Sequence, residues 1–481
     1  MPNQNLILSA VFVPLILAFL LPVIGKFSKA ARNIFALLLA LAALVSSSAL
    51  LPAMIKGNIV NIFKPLQLGF NFSFCADPLA VFMAIVSSLI SAIIVLYSFG
   101  YISHYENQSE YYLMVVLFLG AMMGLVFSAN LIFLYIFWEI TAVTSWRLIG
   151  FFRDKQHVLR ADKAFMVTVF GALLMLIGFI RLGHEMGSFD LFVIKDAIRF
   201  HPVSNVTIAL ILAGIFSKSA TLPFQTWLPD AGVAPSPVTA LLHAAVLVKI
   251  GVYVFARLFV TTIPLTQFWH VGVPLIAGLS ALVAAGAALV ETDLKRIIAY
   301  STVSQIGFIF LGLSVGSELG FAGALLYILM HGLAKAGLFL CAGIVEQNTK
   351  TKDIAKLGGL ITAMPITAVS FLFCAFSVMG IPPFGGFFAK YMVIAATLGG
   401  RHFLIAGIFI IGAFMTILYL FRTFNMVFLG EVKTPAAGEK EPVMVFSVAL
   451  LAILSLVGGI VIRYPNEIAQ LACVGLPGIT K

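Results

Sequence analysis

Residues 217–230 read Ser217-Lys218-Ser219-Ala220-Thr221-Leu222-Pro223-Phe224-Gln225-Thr226-Trp227-Leu228-Pro229-Asp230, and they close an apolar run that begins near residue 205. If that run lies in a bilayer, the lysine is expensive, since a cation at a helix centre costs roughly 2.5–3.5 kcal/mol on insertion scales. The proline beside it removes a backbone donor and clashes with the preceding turn, so the helix must break there. The combination occurs twice: Met379-Gly380-Ile381-Pro382-Pro383-Phe384-Gly385-Gly386 precedes Lys390. Broken backbone at membrane depth is tolerated only where protein or a water cavity surrounds it. Paired interruptions in two halves point to an inverted-repeat architecture with an ion path at the breaks. Two ordinary proline kinks would account for the breaks but not for the lysines next to them.

The rest of the chain supports a bilayer setting. Of its 481 residues 61% are hydrophobic and 10% charged, with a mean hydropathy of +1.10, against about 25% charged in an average soluble domain. A water-soluble globular protein is excluded. Cys75, Cys341, Cys374 and Cys473 are scattered without a CxxC pair, and no His/Cys run has zinc-finger or haem spacing. No metal or other cofactor is therefore expected on this chain. Stretches long enough to span fall near 5–25, 33–55, 79–101, 111–128, 130–152, 164–183, 205–222, 236–260, 268–290, 295–316, 320–345, 365–398, 402–425 and 443–462. The first has no basic residue ahead of it and is expected to stay as a membrane helix rather than be cleaved. The expectation is an all-α polytopic membrane protein of fourteen helices, discontinuous at helices 7 and 12. Breaks five spans apart predict repeats made of spans 4–8 and 9–13, and a five-helix unit has odd parity, so the second copy is inverted. This divides the chain into 1–105 (helices 1–3), 106–262 (first repeat), 263–430 (inverted second repeat) and 431–481 (helix 14 and tail).

A net charge of +10 invites a nucleic-acid reading, but the basic residues form no patch. Fifteen lie in loops on one side of the membrane (among them Lys26, Arg32, Arg153, Lys163, Lys295, Lys350 and Lys352) and eight on the other (among them Lys56, Lys195, Arg257 and Arg463). The positive-inside rule makes the first side cytoplasmic and puts both termini outside the cytoplasm. The remaining six, Arg147, Arg181, Lys218, Lys249, Lys335 and Lys390, fall inside apolar spans, where Glu139 is the one deeply placed acid. Six cations against one acid cannot all be paired, which makes the lysines candidate proton carriers. Long cations near span ends more often snorkel to the headgroups. That reading suits Arg181, stands level with a buried role for Arg147, and fits Lys218, Lys249 and Lys335 poorly. Tyr327, His331 and Lys335, spaced i, i+4, i+8, line one helix face over about 12 Å and form a plausible relay. His243 and Lys249 are about 9 Å apart along the axis but on different faces, so a bridging water would be required.

The strings FWEITAVTSWRLIGF (137–151), KSATLPFQTWLPDAGVAPSPVTALLHAAVLVKIGVY (218–253), ETDLKRIIAYSTVSQIGF (291–308), MHGLAKAGLFLCAG (330–343) and GIPPFGGFFAKY (380–391) resemble a family of antiporter-like, proton-translocating membrane subunits. That family is shared by respiratory complex I, membrane-bound NiFe hydrogenases and formate hydrogenlyases, and Mrp-type cation/proton antiporters. The resemblance covers roughly residues 70–430 and implies fourteen helices with two inverted five-helix repeats. It also implies that Glu139 pairs with Lys218, that Lys249 is the central-axis lysine of the eighth helix, that Lys390 is the outer exit, and that His243, His331 and Lys335 connect them. Arg147 departs from the family, standing where an aliphatic residue is usual. Eight residues after Glu139, it is about 80° round the same helix, where it could compete with Lys218 for that carboxylate or meet a neighbouring subunit. With 18 residues after Arg463, the chain reads as a paralogue without the long lateral helix of the distal complex I subunit, and Trp146-Arg147 inclines the reading to a hydrogenase type.

The resulting expectation is a non-redox, proton-translocating subunit of a complex I-like redox-driven pump of the cell (inner) membrane, with an Mrp-type sodium/proton antiporter subunit as the alternative. Protons would pass from Lys218 or Lys249 through His331 and Lys335 to Lys390, with Glu139, His243 and Tyr327 assisting, Arg147 as a modulator, and Pro223, Pro382 and Pro383 as the helix breaks. Expected partners are the lipid bilayer, other antiporter-like and membrane-anchor subunits, and peripheral redox subunits carrying any iron–sulfur, NiFe or quinone centre. Protons are the expected ion, sodium the alternative, and no nucleic acid is expected.

Overall fold

The computed structural model describes residues 2–66 and 71–473. Twelve helices among them are long and apolar enough to cross a membrane: α1 (Asn3–Phe27), α2 (Lys29–Ile55), α3 (Pro78–His104), α4 (Gln108–Phe127), α5 (Leu131–Ile149), α6 (Lys155–Met186), α8 (Ser236–Val260), α9 (Gln267–Val290), α10 (Leu294–Ser314), α11 (Glu318–Thr349), α13 (Phe403–Phe428) and α14 (Pro442–Ile460). The two remaining spans are interrupted as the prolines predict. Helix α7 (Asn205–Lys218) gives way to a non-helical stretch before a single turn, Trp227–Asp230. The twelfth span is split into α12a (Pro365–Met379) and α12b (Gly385–Gly399).

Local chemistry sets the helix starts. Buried apolar surface alone does not fix where a helix begins, because its first N–H groups need acceptors. Side chains of Ser28, Asp77, Asn130, Asp154, Ser204, Asp293 and Ser317 supply them at the starts of α2, α3, α5, α6, α7, α10 and α11. Such caps each contribute about 1 kcal/mol.

The two five-helix units, α4–α8 and α9–α13, share more than their breaks. Their third helices, α6 and α11, are both 32 residues long. In each unit the residue capping the second helix forms an isolated antiparallel bridge to the segment after the third, Asn130 with Asp190 and Asp293 with Asp353. Both breaks carry a cis X–Pro bond, Leu222-Pro223 and Pro382-Pro383. A hairpin of β1 (Val60–Pro65) and β2 (Asn71–Ala76), in register from Val60–Ala76 to Pro65–Asn71, lies between α2 and α3.

Burial separates an inner from an outer set of helices. The apolar windows of α8, α10 and α11 are 100%, 94% and 94% buried, whereas those of α1 and α13 are 33% buried. Polar groups on the three inner helices therefore cannot reach lipid within the bundle. Helix α8 departs from the expected uninterrupted span. It contains two π-type turns, Leu241–Ala245 and Ala256–Val260, closed by i→i+5 bonds from Val246 N to Leu241 O and from Thr261 N to Ala256 O. At Val246 (φ −132°, ψ −67°) the helix is interrupted.

Candidate functional site

A half-helix that ends inside the bundle leaves its last carbonyls without helical donors and carries about half a negative charge at that end. Lys218 lies in the last turn of α7, and its Nζ donates to Trp138 O at 3.3 Å while standing 5.2 Å over the Trp138 ring. Lys390 reaches back across the second break from α12b and donates to Val378 O, in the last turn of α12a, at 2.7 Å. It also stands 4.7 Å over Phe308 and 5.7 Å over Tyr327. The two breaks thus hold their lysines from opposite sides, one before the break and one after. Gly380 fits its position because its φ is +83° and a Cβ there would lie 3.2 Å from Lys390 Cδ.

Two more lysines sit between these ends. Lys249 donates to the carbonyl of Ala244, which the interruption of α8 leaves near it. Its ammonium faces α11 at Gly332, where a Cβ would come within 3.1 Å of Nζ. Lys335 donates to Ile298 O on α10 at 3.1 Å. Lys218, Lys249 and Lys335 are fully buried and Lys390 is 4% exposed. All four use backbone carbonyls; the buried or half-buried ion pairs of the described chain lie elsewhere, as at Arg257–Asp77 and Lys295–Glu346.

The expected relay on α11 is assembled. Tyr327 and His331 meet edge-to-face with ring centroids 5.9 Å apart, and His331 is acted on by the charges of Lys249, Lys335 and Lys390. His243 packs on Phe339 at 4.5 Å. Neither imidazole has a hydrogen-bond partner for either ring nitrogen among the described residues, and buried nitrogens of this kind need one. The structure adds Gln305, which the i, i+4, i+8 spacing of Tyr327, His331 and Lys335 does not reach because it lies on a different helix. It accepts from Tyr327 OH at 2.5 Å and donates to Thr416 at 3.1 Å and Tyr419 at 3.4 Å, tying α10 to α11 and α13. A glutamine in mid-span was the available signal.

Three expectations change. Glu139 is partly rather than fully buried: it borders the exposed Ile136 and Val143 on α5, yet its Oε1 is enclosed without a hydrogen-bond partner among the described residues. It is coupled electrostatically to Lys218 without a direct ion pair, because Lys218 points to the carbonyl of Trp138 instead. Arg147 does not compete for Glu139: at the end of α5 it turns to Glu110 on α4, which Arg153 also holds, at 2.5 Å. Arg181 lies near the end of α6 with Glu185 at 3.5 Å, in keeping with a snorkelling side chain. Beyond the first break, Asp230 binds Lys163 and Arg296, each at 2.7 Å. Burial would raise its carboxyl, but hydrogen bonds from these two cations outweigh that and hold it below the ordinary carboxylate range.

A family model described as NADH:quinone oxidoreductase/Mrp antiporter, TM, matches residues 128–416, and one described as NADH-Ubiquinone oxidoreductase (complex I), chain 5 N-terminus, matches residues 63–112. The Na(+)/H(+) antiporter subunit A1 of Staphylococcus haemolyticus (strain JCSC1435) is 34% identical over 97% of this chain and 62% of that protein. The subunit of the same name from Staphylococcus aureus is 35% identical over 95% of this chain and 61% of that protein. The chain thus spans about six-tenths of the length of these curated relatives. The Mrp complex from Dietzia sp. DQ12-45-1b contains a chain that matches with a TM-score of 0.89 and 22% identity, covering 99% of this chain and 98% of that one. The membrane-bound sulfane sulfur reductase, an archaeal respiratory membrane complex, gives 0.89 and 24%, covering 98% and 97%. At these identities the two structures establish the fold.

Proposed function

The chain belongs to the NADH:quinone oxidoreductase/Mrp antiporter transmembrane family, and on that premise we propose that it is an ion-translocating, antiporter-like subunit that moves protons between its two helix breaks. The observation that carries this reading is the set of four buried lysines seated on backbone carbonyls. A tight ion pair at 4 Å would hold a lysine proton by ~4 kcal/mol at an effective dielectric of 20. Lys218 lacks such a contact with Glu139, so its attraction is weaker and its proton is free to exchange when the pair approaches or separates. His331, packed edge-to-face on Tyr327 and acted on by the charges of Lys249, Lys335 and Lys390, stands among three of these lysines. Its unpartnered nitrogens suit it to pass a proton by way of water.

The favoured parent assembly is a multisubunit sodium/proton antiporter, because the identity to the two Staphylococcus A1 subunits runs through 95–97% of this chain. The redox-driven pump, preferred on the sequence alone, remains the second reading, supported by the match of residues 63–112 to the complex I chain 5 model. In either assembly other membrane subunits are partners. A partly buried Glu139 bordering the exposed Ile136 and Val143 would be costly beside lipid and suits a face covered by a neighbouring subunit. The loop-charge bias supports a cytoplasmic α11–α12a loop and termini outside the cytoplasm.

The test uses inverted vesicles containing the tagged chain in its native assembly. A sodium pulse and an electron donor are applied in parallel while proton flux is followed with a pH-sensitive dye. Lys218→Ala should abolish flux while the assembly stays intact; full flux in that variant would remove Lys218 from the path. Sodium-driven flux from a metal-free assembly supports the antiporter, and donor-driven flux with nickel, iron or redox subunits the pump.

A further inference from the structure

The three inner helices converge on one buried cation that no part of the pathway above uses. Lys295, in the first turn of α10, is 2% exposed although it stands at the very edge of span 295–316 and counts among the loop cations by sequence. Its Nζ donates to Ala234 O, just before α8, at 3.2 Å. It lies 2.5 Å from Glu346 Oε2, near the end of α11, yet that oxygen is buried without an aligned hydrogen bond. Lys295 therefore touches the mouths of α8, α10 and α11 together. The same carboxylate lines an open cavity of about 360 Å³ with Thr292, Asp293, Lys350, Lys352 and Asp353. Of the three acids there, Asp293 caps α10 and pairs with Lys352 at 3.0 Å, and Asp353 caps the next turn. Glu346 alone joins the cavity to a buried cation.

Helix geometry places Glu346 on the relay. Eleven residues separate it from Lys335, three turns with only about 20° of drift, so it continues the Tyr327–His331–Lys335 stripe about 16 Å further along α11. Phe339, with His243 packed on it, lies between the two levels. On α10, Ile298, whose carbonyl holds Lys335, is three residues beyond Lys295, about 4.5 Å deeper.

We propose that Glu346, with Lys295 as its counter-charge, is the group through which protons pass between the cavity at the α11 C-terminus and Lys335. The carboxylate takes a proton from cavity water and becomes neutral, which loosens its hold on Lys295. It then passes the proton inward, by way of His243, to the neutral Lys335 amine and returns to its ionised form. No electron is exchanged and Lys295 stays charged throughout. This assignment rests on the proton-translocating function proposed above.

The experiment is flux in the same vesicles, with sodium and donor drives run in parallel. Glu346→Gln and Glu346→Cys should lower flux by about a hundredfold, the scale of losing one positioned proton-transfer group, while Glu346→Asp retains it. Because Cys75, Cys341, Cys374 and Cys473 are buried, a thiol introduced at the cavity can be modified selectively, with the unmutated chain as control. A carboxyethyl thiosulfonate attached to Glu346→Cys should restore flux, since it replaces a group that can be protonated. A sulfonatoethyl reagent restores the negative charge and the contact with Lys295, but it does not take up a proton at neutral pH and should leave flux low. Equal restoration by both reagents, or full flux in Glu346→Gln, overturns the proposal and leaves a structural ion pair. If Glu346→Cys does not assemble, the contrast between the Asp and Gln variants decides. Loss of flux in the unmutated chain under both drives, or full flux in Lys218→Ala, would instead overturn the function on which the assignment rests.

Discussion

Removing Asp77 should destabilise this protein more than any single surface change. Asp77 and Arg257 form a two-pronged pair, Nη1–Oδ2 at 2.5 Å and Nη2–Oδ1 at 2.8 Å, with the Arg257 side chain 9% and the Asp77 side chain 18% exposed. Tyr253 OH accepts from the same guanidinium at 2.9–3.0 Å and donates to Val126 O, so the pair pins the end of α8 to α3 and α4. Asp77 also caps α3 through Ala80 N at 2.8 Å. Breaking a buried pair from one side costs 3–5 kcal/mol because the other charge is stranded, and losing a cap adds about 1 kcal/mol. Asp77→Ala should therefore cost about 4–6 kcal/mol. Asp77→Asn keeps the cap and should cost about 3–5 kcal/mol. Asp77→Asn combined with Arg257→Met should recover part of the loss, since no charge is left unpaired. Cys75, buried two residues away, makes a thiol-reactive dye in a thermal ramp a local reporter. At roughly 1–2 °C per kcal/mol for a chain of this size, the midpoint should fall by roughly 5–10 °C in Asp77→Ala. An Asp77→Asn midpoint equal to that of the parent, or strictly additive losses in the double variant, would refute the argument. Burial by itself would raise the Asp77 carboxyl, but the Arg257 charge and hydrogen bonds outweigh it and hold the carboxyl below the ordinary carboxylate range. A depressed folded value means that the contribution is complete above the unfolded value and disappears as pH falls through the folded one. The acid limb of stability should therefore lie below the usual carboxylate range and flatten in Asp77→Asn.

Other expectations follow from single contacts. Gly332→Ala inserts a methyl against Lys249 Nζ and the flexible end of Ile90; it should cost about 1 kcal/mol of stability yet depress proton flux, and unchanged flux would show that the approach of Lys249 to α11 is incidental. Tyr327→Phe leaves Gln305 Oε1 without its 2.5 Å donor and should lower stability by about 1–3 kcal/mol in a thermal ramp, with an unaltered midpoint contradicting the network. Arg147→Leu disturbs only a half-exposed pair with Glu110, worth under about 1 kcal/mol, and should keep flux within about twofold; a large loss would reinstate Arg147 as a partner of Glu139.

Much of this was legible in the sequence for a definite physical reason. Hydropathy and proline act locally, so the spans and both breaks are written in consecutive residues, and Lys218, Lys249, Lys335 and Lys390 stand out against apolar surroundings. Errors gathered where a residue's neighbour is distant. A span predicted from apolar content stops at the first charged groups, so 320–345 ended one residue before Glu346 although α11 continues to Thr349. Lys295 and Arg257, counted with the loop cations although they stand near the ends of spans 295–316 and 236–260, and Arg32, one residue before 33–55, are each at least nine-tenths buried, Arg32 against Gln108 at 2.7 Å. Depth along a helix also says nothing about which way a residue faces, and Glu139, central in α5, lies at the edge of the buried face with one carboxylate oxygen enclosed. The π-type turns left no signal, since LLHAAVLVKIG reads as ordinary α-helix.

The first of those turns has an evolutionary consequence. A π-type turn holds one residue more than the α-turn it replaces, so a one-codon change in length there can be absorbed locally while the helix beyond it keeps its facing. Deleting one codon within 250–255, plain α-helix with no such turn to absorb the change, would instead rotate everything beyond it by about 100° and carry Arg257 off Asp77. Codons 250–255 should therefore tolerate exchanges of apolar residues far more readily than any change in length.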